Sequence, residues 1–211
     1  VDLRQLRSAL RERYDTDGWW PASSAWEVMV GALLTQQTSW SNVENAVAEL
    51  GRGGILEPVA MSSAPLAELE EAVRCCGFFR QKAERLRDMA CHIVEEHGGD
   101  PHGLLSREDA RERLLELPGV GPETADSILA FAAGRPYFVA AAYCSRILCR
   151  TGLLESNGYR AIQEFVHDEM GREHAELTEL YALMVEHAKR HCRATPLCEG
   201  CPLGDSCLFR R

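Results

Sequence analysis

With 211 residues, 45% of them apolar and 26% charged, the chain is large enough for one good core or two small lobes. No run approaches the roughly 20 apolar residues of a membrane helix, and Val1-Asp2-Leu3-Arg4 does not read as a signal peptide, so a cytoplasmic protein with no membrane association is expected. The formal charge of −9 weighs against nucleic acid only as an average, because binding needs no more than a local basic patch. Basic residues concentrate at Arg80-Gln81-Lys82, Arg85-Leu86-Arg87, Arg146 to Arg150 and Lys189 to Arg193, from which one basic face is expected, while acids gather at Glu68 to Glu71, Glu95-Glu96, Glu108-Asp109 and Glu173 to Glu179.

Trp26 to Leu34 is apolar almost all round, which predicts a central buried helix. Residues 80–96 set Ala83, Leu86, Ala90, Ile93 and Val94 along one stripe, with Arg and Glu opposite. Gly98-Gly99-Asp100-Pro101 breaks the chain after it. Residues 174–190 repeat the helical pattern with Leu177, Leu180, Tyr181, Met184 and Ala188. Alternating strand patterns, internal repeats and low-complexity linkers are absent, so an all-α fold is expected.

Leu117-Pro118-Gly119-Val120-Gly121-Pro122-Glu123-Thr124-Ala125 lies between two amphipathic helices, one carrying Ala110, Leu114 and Leu117, the other Ala125, Ile128, Leu129 and Ala132. Gly119 and Gly121 permit positive φ and clear the tip of side chains, and Pro122 pre-sets the first turn of the second helix. Backbone N–H groups there are free to meet an anion, and the helix dipole favours phosphate.

Of nine cysteines, Cys75, Cys76, Cys91, Cys144 and Cys149 read as small core hydrophobes. The other four form Cys192-x5-Cys198-x2-Cys201-x5-Cys207, interrupted by Pro196 and Pro202. Four thiolates in such a loop can surround one Zn²⁺ or one [4Fe–4S] cube. Zinc sites usually pair two short Cys-x2–4-Cys knuckles, and a single short pair with two five-residue arms favours the cube. His187 and His191 stand four apart beside the loop and are read as structural, at a helix C-terminus.

Taken together, the hairpin and the cysteine loop resemble the endonuclease III-like DNA glycosylases of the helix-hairpin-helix-Gly/Pro/Asp superfamily, over nearly the whole chain. Gly-Ala-Leu-Leu-Thr-Gln-Gln-Thr-Ser-Trp (31–40) is similar to the family segment whose glutamine, here Gln37, fills the gap left by a flipped base, and Gly77 to Ala83 matches as well. The resemblance implies a six-helix domain with the hairpin (22–134) and a discontinuous domain of 1–21 and 135–211 carrying the cluster. It also implies a monomer that acts at the bacterial nucleoid and binds double-stranded DNA with a damaged base in a cleft between the domains. Gln37, Lys82 and the hairpin residues Leu117, Gly119, Val120, Gly121 and Thr124 are expected to contact DNA. Gly121→Arg and Lys82→Glu would then weaken binding, the latter with reduced salt dependence.

Two positions depart from the family pattern. Bifunctional members carry a nucleophilic lysine just inside the second hairpin helix, where this chain has Glu123, so no Schiff-base lyase is expected. The family's catalytic aspartate falls at Ala141, and no acid lies between Asp126 and Glu155. An engineered inactive variant, a natural homologue that binds DNA or senses damage with little catalysis, or a different carboxylate, with Glu123 first, are the readings left open. Trp19-Trp20-Pro21 resembles the tryptophan pair of bacterial 3-methyladenine glycosylases of this type, and Trp19 and Trp20 are the expected base pocket for a cationic alkylated purine. Oxidised pyrimidines are the other substrate class. Purified protein is expected to be brown, with broad visible absorption and about four irons per chain; colourless protein with one zinc would overturn the cluster assignment.

Overall fold

The computed structural model describes residues 2–156 and 158–210, among which are twelve α-helices, three short 3-10 turns and no strand. The all-α expectation holds. The chain divides into two compact units, one made of the residues up to Trp19 with those from Arg135 onward, the other running Trp20–Gly134. Trp20 and Pro21, expected with the terminal segments, belong instead to the second unit. Trp20 stacks on Phe131 (ring centroids 4.8 Å apart) and meets Trp40 edge-on (5.4 Å), and those contacts fix its allegiance.

In the terminal unit, α1 (Leu3–Arg11) begins with a capping box in which Asp2 Oδ1 accepts from Gln5 N–H (2.8 Å) while Asp2 N–H donates to Gln5 Oε1 (3.0 Å). Leu3, Leu6 and Leu10 form its fully buried face. Both α12 (His174–Arg190) and α11 (Tyr159–Met170) pack against α1 and α10 (Ala142–Thr151). Arg7 ties α1 to α12 by ion pairs to Glu176 (2.8 Å) and Glu179.

The Trp20–Gly134 unit is organised on α2 (Ala25–Leu34), started by Ser24, whose Oγ accepts from Glu27 N–H (3.1 Å). Eight of its ten residues are buried, Trp26 and Val28 to Leu34, as a helix apolar on every side requires. It packs against α3 (Trp40–Arg52), α6 (Phe79–His97) and α9 (Pro122–Ala133). Each buried aliphatic side chain contributes about 1.5–3 kcal/mol. The short helices α4 (Pro58–Ser63) and α5 (Leu66–Ala72) cover α6, whose buried stripe is Lys82, Ala83, Leu86, Met89, Ala90 and Ile93. Val94, placed on that stripe by its period, is half-buried.

Two of the cysteines read as core hydrophobes are exposed. Cys76 and Cys144 are buried and Cys91 is half-buried, but Cys75 and Cys149 face solvent. Cys75 and Cys76 sit side by side in the 3-10 turn Arg74–Cys76, where successive side chains diverge by about 120°, so only one can point inward. Cys149 lies off the buried face of α10, which is Cys144, Ile147, Leu148 and Thr151. No helix among the described residues is long and apolar enough to cross a membrane.

At the far end of α6, α7 (Pro101–Leu105) crosses closely over His97, since a Cβ on Gly103 would lie 3.0 Å from His97 Cβ. His97 meets His92 edge-on (5.6 Å between centroids), and the Nε2 atoms of both are buried with no hydrogen-bond partner among the described residues. Burial, with His92, Arg107 and Arg113 adding to it against Glu96, lowers the pKa of His97. A histidine that resists protonation in the folded state contributes stability above its unfolded value near 6.5, and this is lost as pH falls through the lower folded value. Melting temperature is therefore expected to fall more steeply between about pH 7 and pH 5 in the parent protein than in His97→Gln. Parallel curves would show that His97 carries no such linkage.

Candidate nucleic-acid interface and catalytic positions

The hairpin joins α8 (Ala110–Glu116) to α9. Gly119 adopts φ +79°, a conformation reserved largely for glycine, and a Cβ there would collide with Arg85 Cδ. Gly121 does not share that role. Its backbone is extended (φ −95°, ψ −179°), and a Cβ there would meet nothing within 4 Å, so what it leaves is open approach to the start of α9. Within the turn, Val120 N–H is already given to Leu117 O (3.1 Å). The first α-helical bond of α9 is Ala125 N–H to Gly121 O (2.9 Å), which leaves the Glu123 and Thr124 amides ahead of the helical ladder. Leu117, Val120 and Thr124 are buried, and their side chains serve the turn from inside.

Two interactions missed from sequence hold the hairpin. Arg111 of α8 grips the fully buried Asp126 of α9 through Nε–Oδ1 (2.7 Å) and Nη2–Oδ2 (3.3 Å). Removing one partner of such a pair costs about 3–5 kcal/mol, because a buried charge is left behind. Gln36, next to the glutamine singled out from sequence, donates from Nε2 to Gly119 O (2.9 Å) and Thr124 Oγ1 (3.1 Å), while Arg85 Nη1 approaches its Oε1 (3.5 Å). A half-buried polar side chain one residue before an exposed one carries no periodic signal, so sequence does not single out Gln36.

Lys82 is the clearest correction. Expected on the DNA face, it is 2% exposed, and its Nζ donates to Leu34 O (3.0 Å), Gln36 O (2.7 Å) and Cys76 O (2.8 Å). Burial lowers the pKa of its ammonium. Its position on the helical stripe with Ala83, Leu86 and Ile93 was the available sign that it points inward. On either side of this ammonium stand two residues with left-handed backbone, Gln37 (φ +55°) and Phe78 (φ +47°). Both are exposed, Phe78 by 65%, although a large aromatic ordinarily escapes water. Left-handed non-glycine backbone costs on the order of 1–3 kcal/mol and persists where surroundings impose it.

Glu123 lies in the first turn of α9, exposed at its edge but crowded around its carboxyl, and this partial burial raises its pKa. In the terminal unit, the extended segment before α10 is anchored on α11. Phe138 is fully buried, its N–H donates to His167 Nε2 (3.4 Å) and its carbonyl accepts from Gln163 Nε2 (2.8 Å). Ala141 follows, 1% exposed, as the N-cap of α10 (φ −62°, ψ 162°) with no side-chain cap. Its carbonyl accepts from Cys144 and Ser145 N–H (2.9 and 3.2 Å).

Cys192, Cys198, Cys201 and Cys207 line one cavity with Arg150 and His187. Arg146 Nε donates to Cys192 O (2.7 Å), and Arg150 donates to Cys192 Sγ (3.4 Å), Arg193 O (2.7 Å) and Ala194 O (3.0 Å), so α10 holds the start of the loop. Burial, then the neighbouring sulfurs, raises the Cys201 thiol pKa. His187 is buried, with Nδ1 against Tyr14 Oη (3.1 Å) and Nε2 against Cys201 Sγ (3.8 Å), and His191 Nδ1 meets Leu197 O (2.9 Å). Among the described residues, no group of three or more His, Cys, Asp or Glu is arranged to hold a metal ion.

The tryptophan pair is divided between two environments. Trp20 and Trp40 line a cavity with Glu27 and Glu44. Trp19 is not among its lining residues; it packs edge-on against Tyr181 (5.4 Å) and hydrogen-bonds Glu186.

Residues 30–170 match the HhH-GPD superfamily base excision DNA repair protein family, which covers more than half of the chain. The chain belongs to the HhH-GPD superfamily of base excision DNA repair proteins. A candidate DNA repair glycosylase of Methanocaldococcus jannaschii is 39% identical over 212 residues, 99% of this chain and 96% of that one. The fold is that of endonuclease III in a non-covalent DNA complex (TM-score 0.82, 22% identity, 100% of this chain and 97% of that one). It is also that of the H. pylori 3-methyladenine DNA glycosylase bound to 1,N6-ethenoadenine (TM-score 0.77, 27% identity, 90% and 98%).

The N-cap location of Ala141 has a stability consequence. Aspartate is among the best N-cap residues and alanine among the poorest, a difference of about 0.5–2 kcal/mol. Ala141→Asp is expected to raise the unfolding free energy by about that amount near neutral pH, measured by urea titration, with the gain lost on acidification. A destabilised variant would show that desolvation of the carboxylate outweighs the cap.

Proposed function

We propose that the protein is a monofunctional DNA N-glycosylase homologue that binds damaged double-stranded DNA, turns a modified base out of the stack and releases it slowly. The observation that carries this reading is the grouping of the hairpin with two exposed, left-handed turns, all tied through Gln36 and Lys82. Chemistry on a stacked base requires its extrusion, and the gap must be filled. Gln37 and Phe78 are suited to fill it, and the Glu123 and Thr124 amides with the dipole of α9 suit a backbone phosphate. Relatives named as DNA glycosylases support the same reading.

Glu123 stands where a lyase needs an amine, and a carboxylate forms no Schiff base. Its raised pKa and first-turn position make it the candidate general base toward water. Ala141 offers no charge to a developing sugar cation, and removing a preorganised electrostatic group costs about 10²–10³-fold in rate. Slow chemistry favours a substrate whose bond is already weak. The two indoles with Glu27 and Glu44 around one cavity suit a cationic alkylated purine over a neutral oxidised pyrimidine.

We infer that Cys192, Cys198, Cys201 and Cys207, which line one cavity, would hold a [4Fe–4S] cluster. When bound, the cluster supplies metal–thiolate links that close the C-terminal loop. Arg146 and Arg150 orient the loop's first cysteine by their bonds to its carbonyl and sulfur.

Duplexes carrying 3-methyladenine, thymine glycol or an abasic site test the function. Slow release of 3-methyladenine is expected, without any adduct trapped by borohydride. Ala141→Asp is expected to speed release by about 10²–10³-fold, and Glu123→Gln to abolish the residual rate. Tight lesion binding with no release by either the parent or Ala141→Asp would make the protein a damage sensor. Equal affinity for damaged and undamaged duplex would defeat both readings.

A further inference from the structure

We propose that Lys82 and Gln36 form a positioning device that locks the Gln37 turn, the Phe78 turn and the hairpin into one rigid DNA-reading surface. The Lys82 ammonium is buried, and its three bonds go to carbonyls. Leu34 is the last residue of α2, and Cys76 is the last of the 3-10 turn, so one cation closes two helical C-termini, where carbonyl dipoles converge. The third carbonyl belongs to Gln36, whose side chain continues the connection to Gly119 O and Thr124 Oγ1. Each joined turn then presents an exposed residue in strained left-handed backbone, Gln37 directly after Gln36 and Phe78 two residues after Cys76. Strain of that kind relaxes unless something holds the flanking backbone, and Lys82 holds it on both sides. Surface lysines attract phosphate; this one acts through other residues and touches no ligand.

The idea rests on the base-flipping reading, and its test separates the two. Full-length parent, Lys82→Met and Gln36→Met proteins are compared by amide hydrogen exchange. They are also compared by binding to a duplex with a tetrahydrofuran abasic analogue against its undamaged match over a salt series. In Lys82→Met, amides of residues 35–39 and 77–80 are expected to exchange about tenfold faster together, while helices distant from them are unchanged. Preference for the analogue is expected to fall about tenfold, with the affinity for undamaged duplex and its salt slope retained. In Gln36→Met, faster exchange is expected at 119–124 with 77–80 unchanged, and the preference again falls. Faster exchange confined to one turn overturns the proposal, as does acceleration spread over the whole chain. So does a salt slope reduced by about one, which marks a direct phosphate contact. Should Lys82→Met not fold, Gln36→Met decides: parent-like preference and hairpin exchange defeat the proposal, and loss of both supports it. A parent protein that shows no preference for the analogue removes the base-flipping reading, and the exchange data alone then judge the positioning role.

Discussion

A buried ammonium bonded to three main-chain carbonyls is the constraint on which the candidate interface depends. Taking Lys82 out of water carries a desolvation penalty that only full hydrogen bonding offsets, and three carbonyls match its three donors. The match works only if the ends of α2 and of the 3-10 turn come to one point. Their convergence fixes where α3 and α6 begin, and so where Gln37 and Phe78 stand. Gln36 extends the same geometry into the hairpin, and the Arg111–Asp126 pair sets the two hairpin helices against each other. Most of the polar order in the Trp20–Gly134 unit therefore serves turns, while the aliphatic faces of α2, α6 and α9 supply the cohesion.

Much of this was legible before any coordinates. Apolar period located α2, α6 and α12, because burial of one face is a local property repeated every turn. The hairpin was legible because Pro118 and Pro122 restrict the backbone while Gly119 frees it for positive φ. What escaped was side-chain direction. Lys82 read as a surface cation from its type, yet its place among Ala83, Leu86 and Ile93 put it inside. Gln36 and Asp126 escaped because their partners lie 83 and 15 residues away along the chain, a separation that a linear pattern does not encode. Gly121 was grouped with Gly119, although only the latter needs positive φ. Cys75 and Cys149 were taken for core because cysteine usually is, and their exposure follows from helix phase.

The terminal unit shows how one loop can be built from the helices beneath it. Arg146 and Arg150, four apart on α10, deliver four guanidinium contacts, one and three respectively, to the chain from Cys192 to Ala194, so the loop's entry is set by a helix face. His187 joins the loop to the segment after α1 through Tyr14. The four cysteines of that loop line one cavity together with Arg150 and His187.

The N-cap setting of Ala141 bears on how such a chain changes over generations. An aspartate at a helix start is held by two selective pressures at once, one on folding and one on chemistry. Drift away from it is opposed even in a lineage that no longer needs turnover, because the helix still needs its cap. An alanine enjoys neither protection, and if Ala141→Asp firms the helix start as expected, a change to aspartate is favoured by stability alone. Selection on fold stability alone can therefore decide which side chain stands at this helix start.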